Sequence, residues 1–258
     1  MKTIEFKPTN YPSDLTETQW KEIAEYFPQN GNSEHHKRSL INAVLYLLDN
    51  GIKWRAMPHD YPPWSTVHSF YFRARKSGLW EKVQQIMVEK TRVREGRDPT
   101  PSYGIIDSQS VKTIYDSEER GIDGGKKIKG RKRHIVVDIL GFILAVVVHA
   151  ANIHDTKSGW KPASKAFDKY PTIEKICGDE GYRGTFVEYV GWDYDDVGVD
   201  ISKRIKPEFE ILPKRWIVER SLGWLGNSRR LSKDYELSAN SAENMVIISN
   251  LHTILKRY

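Results

Sequence analysis

Tyr103-Gly104-Ile105-Ile106-Asp107-Ser108-Gln109-Ser110-Val111-Lys112 is the stretch on which the fold is read, an apolar run closed by an acid. Two further acids stand in related settings. Asp179 follows the short apolar run Ile173 to Cys177, and Glu219 lies inside the helical-looking stretch Trp216 to Trp224. No local turn joins the three, so only a fold can bring a strand-end Asp, a second strand-end Asp and a helical Glu to one point. If they converge, their hard oxygens suit Mg²⁺, and two such ions about 3.5–4 Å apart serve the cutting and rejoining of phosphodiesters. Each acid also has a plain structural reading. Asp107 with Ser108 caps a turn, Asp179 is a loop acid, and Glu219 pairs with Arg215 four residues earlier.

The chain has 258 residues, 39% of them hydrophobic, enough for one large domain or a small and a medium one. Its one cysteine, Cys177, excludes an internal disulfide framework and multi-cysteine metal sites, which predicts a reducing compartment. No stretch reaches the roughly 20 apolar residues of a membrane helix; Ile135 to Ala151 is interrupted by Asp138 and His149 and reads as two strands. Met1 to Asn10 lacks the apolar core of a secretory signal. The expectation is a soluble, cytoplasmic, nucleoid-associated protein without a membrane partner. Formal net charge is +6, and six of the eight residues Lys126 to Arg133 are basic, a patch that attracts a polyanion or is simply a solvated surface.

Residues 1–98 read as a helical domain. Leu15, Trp20, Ile23 and Phe27 mark one amphipathic segment; Leu40, Ile41, Val44, Leu45 and Leu48 mark a second, ended by Asn50-Gly51. After Pro62-Pro63, a third carries Val67, Phe70, Tyr71 and Ala74 at helical spacing, and a fourth carries Leu79, Val83, Ile86 and Met87. The other face of the third offers Ser65, His68, Ser69, Arg73, Arg75 and Lys76, the layout of a helix-turn-helix reading head or of a bracing bundle. A polar stretch with Gly96, Pro99 and Pro101 reads as a linker. Beyond it, residues 99–258 alternate strands (105–106, 135–137, 142–148, 173–176, 197–201) with helices (163–167, 216–229, 242–256), an α/β arrangement with a mixed five-stranded sheet flanked by helices.

The segments Ile106 to Lys112, Gly178-Asp179-Glu180-Gly181-Tyr182-Arg183-Gly184 and Arg215 to Arg220 with Trp224-Leu225 resemble the three acidic motifs of the DDE transposases of bacterial insertion sequences. Gly51-Ile52-Lys53-Trp54-Arg55-Ala56-Met57-Pro58, Trp64 to Val67 and Gly78-Leu79-Trp80 resemble the helical domain that precedes the core in the insertion sequence five group. The resemblance implies an RNase H-like catalytic domain in which Asp107, Asp179 and Glu219 are catalytic and hold two Mg²⁺ or Mn²⁺ ions. It also implies double-stranded DNA partners, the terminal inverted repeats and target DNA, and a homodimer on paired ends. One departure stands out: Asn227-Ser228 follow Gly226, where the group has a basic and an aromatic residue.

Basic and aromatic neighbours complete the expected DNA-binding set: Lys112, Lys132, Arg133, Tyr182, Arg183, Arg215, Arg220, Arg229, Arg230 and Lys233, with Ser65, His68, Arg73, Arg75 and Lys76 on the helical domain. Trp216 or Trp224 is a stacking platform or a core residue. His35-His36 and His154-Asp155 lack a second cluster at ligand spacing and read as surface or turn residues. Few residues separate Ile201 from Trp216, too few for an inserted domain. Two other functions stay open: a repurposed or inactive sequence-specific DNA-binding protein, and a metal-dependent nuclease unconnected with mobility.

Overall fold

The computed structural model describes residues 6–29, 34–202 and 215–258; most of the segment between Ile201 and Trp216 falls outside them. In α1 (Glu17–Ile23), Thr16 and Gln19 form a reciprocal capping box that satisfies amides the first turn leaves open. His36 caps α2 (Lys37–Asn50), and Gly51, at φ 67°, ends it in a left-handed turn that a Cβ disfavours. The chain then runs through residues 51–63 before α3 (Trp64–Lys76), a connection far longer than the roughly three- to four-residue turn of a helix-turn-helix. Val67, Phe70, Tyr71 and Ala74 of α3 are buried, the stripe that its spacing predicts.

The buried face of α4 (Leu79–Arg94) is rotated from the expected one. Trp80, Val83, Gln84, Met87 and Val88 are buried, while Leu79 and Ile86 are only half-buried. The cause is a second neighbour: Gln84 Nε2 donates to Ile143 O at 2.6 Å and to Asn250 Oδ1 at 2.8 Å. Asn250 belongs to α9 (Ala239–Leu255), on which α4 packs. α9 is buried on nearly every side rather than along the one face of Ile247, Ile248, Leu251 and Leu255, because the helical region covers what the sheet does not. The two regions share one hydrophobic core.

The sheet is the mixed, curled one of an RNase H-like fold. β1 (Tyr103–Lys112) lies between β3 (Ile128–Val137), antiparallel, and β5 (Lys175–Gly178), parallel. β4 (Ile143–Ala150) pairs with β3, and β6 (Gly198–Ile201) pairs parallel with β5. A sixth strand, β2 (Gly121–Asp123), pairs with the start of β3. α5 (Asp155–Ser158), α6 (Trp160–Lys169), α7 (Thr185–Asp193) and α8 (Arg215–Leu225) complete the described elements. α6 packs on β3 and β4, and α8 packs on β1 and β3. No helix among the described residues is long and apolar enough to cross a membrane.

The basic run Lys126 to Arg133 divides in two. Lys126 and Lys127 sit exposed at the turn between β2 and β3, but the strand begins at Ile128 and carries Arg131, Lys132 and Arg133 into the interior at 0%, 6% and 1% exposure. Gly130 permits the entry, since a Cβ there would lie 2.0 Å from Val111 O across the sheet.

Candidate active site

Sheet register brings the first two acids together. Ile105 of β1 is opposite Cys177 of β5, so Asp179, two residues on, emerges beside Asp107. Asp179 accepts from the Gly181 amide at 2.8 Å and starts a short 3₁₀ turn. Glu219 arrives from α8. One turn earlier on that helix, Arg215 Nη2 lies 3.4 Å from Glu219 Oε1 and 3.8 Å from Asp179 Oδ2, a single cation between two carboxylates. Asp107 is half-buried and takes the amide of Ser108 at 2.7 Å.

Loss of water raises the Asp107 carboxyl to about 6, and the charge of Asp179 pushes the same way; Arg215 and Lys126 oppose them. Between about pH 4 and 6 the folded protein therefore keeps a proton that the unfolded chain has released, and stability falls as pH rises through that window. Asp107→Asn removes the titration. In metal-free buffer, the melting-temperature advantage of the variant is expected to grow from pH 4 to 6 and to level off above. A constant difference across that range would show that Asp107 is not so perturbed.

The opposite face of β1 carries a supporting layer. Ser108 Oγ donates to Asp155 Oδ1 at 2.9 Å, and Lys132 Nζ reaches the same oxygen at 2.9 Å. Burial works to raise the Asp155 carboxyl, but Lys132 outweighs it and holds the group below its usual range. Beside them, Tyr182 Oη lies 2.6 Å from His134 Nε2, His134 Nδ1 is 3.3 Å from His149 Nε2, and His149 Nδ1 is 3.0 Å from Ala150 O. A carbonyl only accepts, so the chain has one direction: His149 donates to Ala150, His134 to His149, and Tyr182 to His134. Burial, then His149 and Lys132, hold His134 down to about 3, and burial, then the carboxylates of Asp107, Asp155 and Asp179, keep the Tyr182 phenol protonated.

Several residues expected to touch DNA are turned inward. Arg133 donates to Leu231 O at 2.6 Å and Lys233 O at 3.1 Å; Lys132 and Tyr182 are spent on the supporting layer. Arg230 is buried against Glu236 at 2.7 Å and donates to Ile52 O at 2.8 Å. The physical reason is the same in each case: a desolvated cation or phenol needs an acceptor close by, and each has found one within the fold. Arg220 lies between Trp216 and Trp224, 4.5 Å and 4.6 Å from their rings, with Nη2 on Leu140 O at 3.0 Å. It clamps α8 to the β3–β4 turn, leaving Trp216 44% exposed. Ser65, Arg73, Lys76, Lys112, Arg183, Arg229 and Lys233 are exposed, and His68 and Arg75 are half-buried. Arg183 pairs with Glu180 at 2.9 Å. Of the two departing residues, Ser228 is buried against Ser249 Oγ at 2.9 Å and Asn227 is exposed.

Sequence reasoning missed His134 and His149 in the supporting layer and read Asp155 as a turn residue near the strand ends, where it does lie, bonded to Ser108 and Lys132. Extending β3 back through the basic run would have put Lys132 and His134 on one face by strand alternation. His36 and His154 cap helices, as expected of turn residues. An all-carboxylate donor set suits a hard divalent cation, and the carboxyl of Asp107, raised chiefly by loss of water and in smaller part by Asp179, is one that a bound cation would draw back down. Among the described residues no three ligand-type side chains are gathered closely enough to hold an ion in this arrangement, in which Arg215 lies between Asp179 and Glu219.

Comparison with known proteins gives three matches. Residues 15–84 match the family model described as a putative transposase of the IS4/5 family, and residues 98–192 match the transposase DDE domain model. Asp107 and Asp179 fall within the second match, and Glu219 lies beyond it. A putative transposase for insertion sequence element IS402 of Burkholderia cepacia is 32% identical over 123 residues, 43% of this chain and 56% of that relative. The match thus spans little more than half the relative's length.

Proposed function

The chain belongs to the DDE transposases of bacterial insertion sequences, and on that premise we propose that it binds the terminal inverted repeats of its element, hydrolyses phosphodiesters at the ends and joins the freed 3′ hydroxyls to target DNA. The observation that carries this reading is the convergence of Asp179 and Glu219 on the guanidinium of Arg215, with Asp107 sensing both Asp179 and Arg215. Asp107, Asp179 and Glu219 are the residues that would hold two Mg²⁺ or Mn²⁺ ions, which when bound stabilise the charge on the attacking and leaving oxygens.

This chain's own contribution is position and charge. Buried Tyr182, at the end of the turn that Asp179 starts, and the Asp155–Lys132 pair, bonded through Ser108 to β1, brace the backbone that carries Asp107 and Asp179. Exposed Lys112, Arg183, Arg229 and Lys233 offer phosphate contacts, Arg183 of them close in sequence to Asp179, and Lys126 carries positive charge toward Asp107. The helical part, residues 1–98, presents Ser65, His68, Arg73, Arg75 and Lys76 on α3 for the element ends, and two copies hold paired ends as a homodimer.

The test uses end-labelled DNA carrying the inverted repeats that flank the coding sequence. Nicks at the element ends and strand-transfer products are expected with Mg²⁺ or Mn²⁺ and not with EDTA. Equal cleavage in EDTA, or none at the ends under any ion, would overturn the reading.

A further inference from the structure

A cleft of about 760 Å³ opens where residues 51–55 and α3 meet the segments that follow β1 and precede α9. It lies outside the acid site, and its lining is unusual in combining exposed rings with unpaired cations. The floor is Trp54, whose ring meets His68 edge-on at 4.9 Å, packs on Tyr71 at 5.2 Å and has the Arg230 guanidinium 5.8 Å above it. Buried hydrogen bonds make that floor rigid. Tyr71 Oη meets Ser241 Oγ at 2.9 Å, Ser241 Oγ donates to Glu236 Oε2 at 2.6 Å, and Arg230 spans Glu236 and Ile52 O.

The walls are Phe72 and Tyr115, left 44% and 45% exposed. At the rim, Lys53, Arg55 and Arg75 have no carboxylate within ion-pair reach among the described residues; Arg75 lies over Phe72 at 5.1 Å and Arg55 over Trp64 at 5.4 Å. Glu236 is consumed by Arg230 and Ser241, which leaves Glu118 as the one lining acid without a described partner.

A purely anionic peptide would use the cations and waste the rings, and an apolar ligand would do the reverse. A nucleotide uses both, its base against aromatic faces and its phosphates on the rim. We propose that this cleft binds an unpaired nucleotide of the DNA substrate, with the base against Phe72, Tyr115 and Trp54 and the flanking phosphates on Lys53, Arg55 and Arg75. The proposal rests on the DNA-processing reading above and adds a second contact to it. Tyr115 lies three residues beyond the end of β1, the strand that carries Asp107 and rises about 3.3 Å per residue. A base held here is therefore set at a fixed spacing from the phosphodiester at the acids.

Fluorescence anisotropy of the full chain in EDTA tests this with labelled oligothymidylate, a strand of abasic spacers of equal length, and a blunt duplex. Phe72→Ala and Tyr115→Ala, both exposed and so checkable for intact folding by circular dichroism, are each expected to weaken oligothymidylate binding on the order of ten-fold and to leave the duplex nearly unchanged. Arg75→Gln should weaken all three probes, and Trp192→Ala, exposed elsewhere, none. In the wild type, a 5-iododeoxyuridine strand should photo-cross-link to the cleft rings. Equal affinity for abasic and thymidylate strands, variants that bind like wild type, cross-links only outside the cleft, or displacement by polyglutamate as readily as by oligothymidylate would each overturn it. A protein that cleaves element ends yet fails these tests loses the cleft and keeps the transposition reading; one that binds no DNA in any form loses both.

Discussion

Asp107→Asn, Asp179→Asn and Glu219→Gln are each expected to lower ion-dependent cleavage of element-end DNA by about 10³-fold or more, since several kcal/mol of transition-state charge stabilisation depend on the carboxylate set. DNA binding should survive. The carboxamides keep the shape of the site, and the change removes negative charge from beside a polyanion, which favours association. Glu219→Gln and Asp179→Asn also free Arg215 from one of its two partners, leaving its charge available to phosphate. The Asp107 variant separates chemistry from folding most clearly. It is expected to melt higher than the wild type in metal-free buffer above pH 6 while losing cleavage, a combination that an unfolding artefact does not produce. Full cleavage by any one of the three would remove that residue from the site.

Asp234→Ala is expected to destabilise the protein by about 3–5 kcal/mol, the cost of leaving a buried guanidinium without its counter-ion. Arg131 and Asp234 are 0% and 1% exposed and 3.1 Å apart. Arg131 also donates to the carbonyls of Glu118, Glu236 and Leu237 at 2.7, 3.0 and 2.7 Å, so its charge cannot escape to solvent when the carboxylate is gone. At roughly 2–4 °C per kcal/mol for a chain of this size, thermal melting should drop by about 6–20 °C. Arg131→Met with Asp234→Leu should recover much of the loss, because two apolar side chains replace the pair without leaving either charge behind. A drop of less than about 1 kcal/mol in Asp234→Ala would mean that the pair contributes little beyond its neighbours' packing. The backbone of Asp234 also ties the end of β1 to the segment before α9, since Asp234 N donates to Lys112 O at 2.9 Å and Ile114 N to Asp234 O at 3.0 Å.

Local pattern carried the reading furthest where the structure is local. The stripe Val67, Phe70, Tyr71 and Ala74 is buried as its period requires, the interruption at Asp138 does divide two strands, Asp179 directly follows a strand and Glu219 lies in a helix. Asp107, expected at a strand end, sits instead in the middle of β1, because pairing with β3 carries the strand on to Lys112. Glu219 also makes the ion pair with Arg215 that its spacing allows. Such features depend on residues a few positions apart, whose geometry the backbone period sets.

Where pattern misled, the partner was remote. Arg131, Arg133 and Arg230 look alike in sequence to Arg183 or Arg229, yet the first three are buried. The acceptors of Arg131 and Arg133, Asp234 and Leu231 O, lie 103 and 98 residues away, and Arg230 joins Ile52 O, 178 residues away, to its nearby counter-ion Glu236. The buried face of α4 was displaced for the same reason, through Gln84 and Asn250.

By itself the sequence determined most of the element types and the kinship with DDE transposases, because period, spacing and motif are properties of the chain read in order. Only the tertiary structure decided which cations face solvent, that Arg215 lies between two of the acids, and that a ring-lined cleft forms between segments distant in sequence. Burial and charge pairing are settled by what the fold places next to a side chain, and a desolvated charge is retained only where a partner meets it.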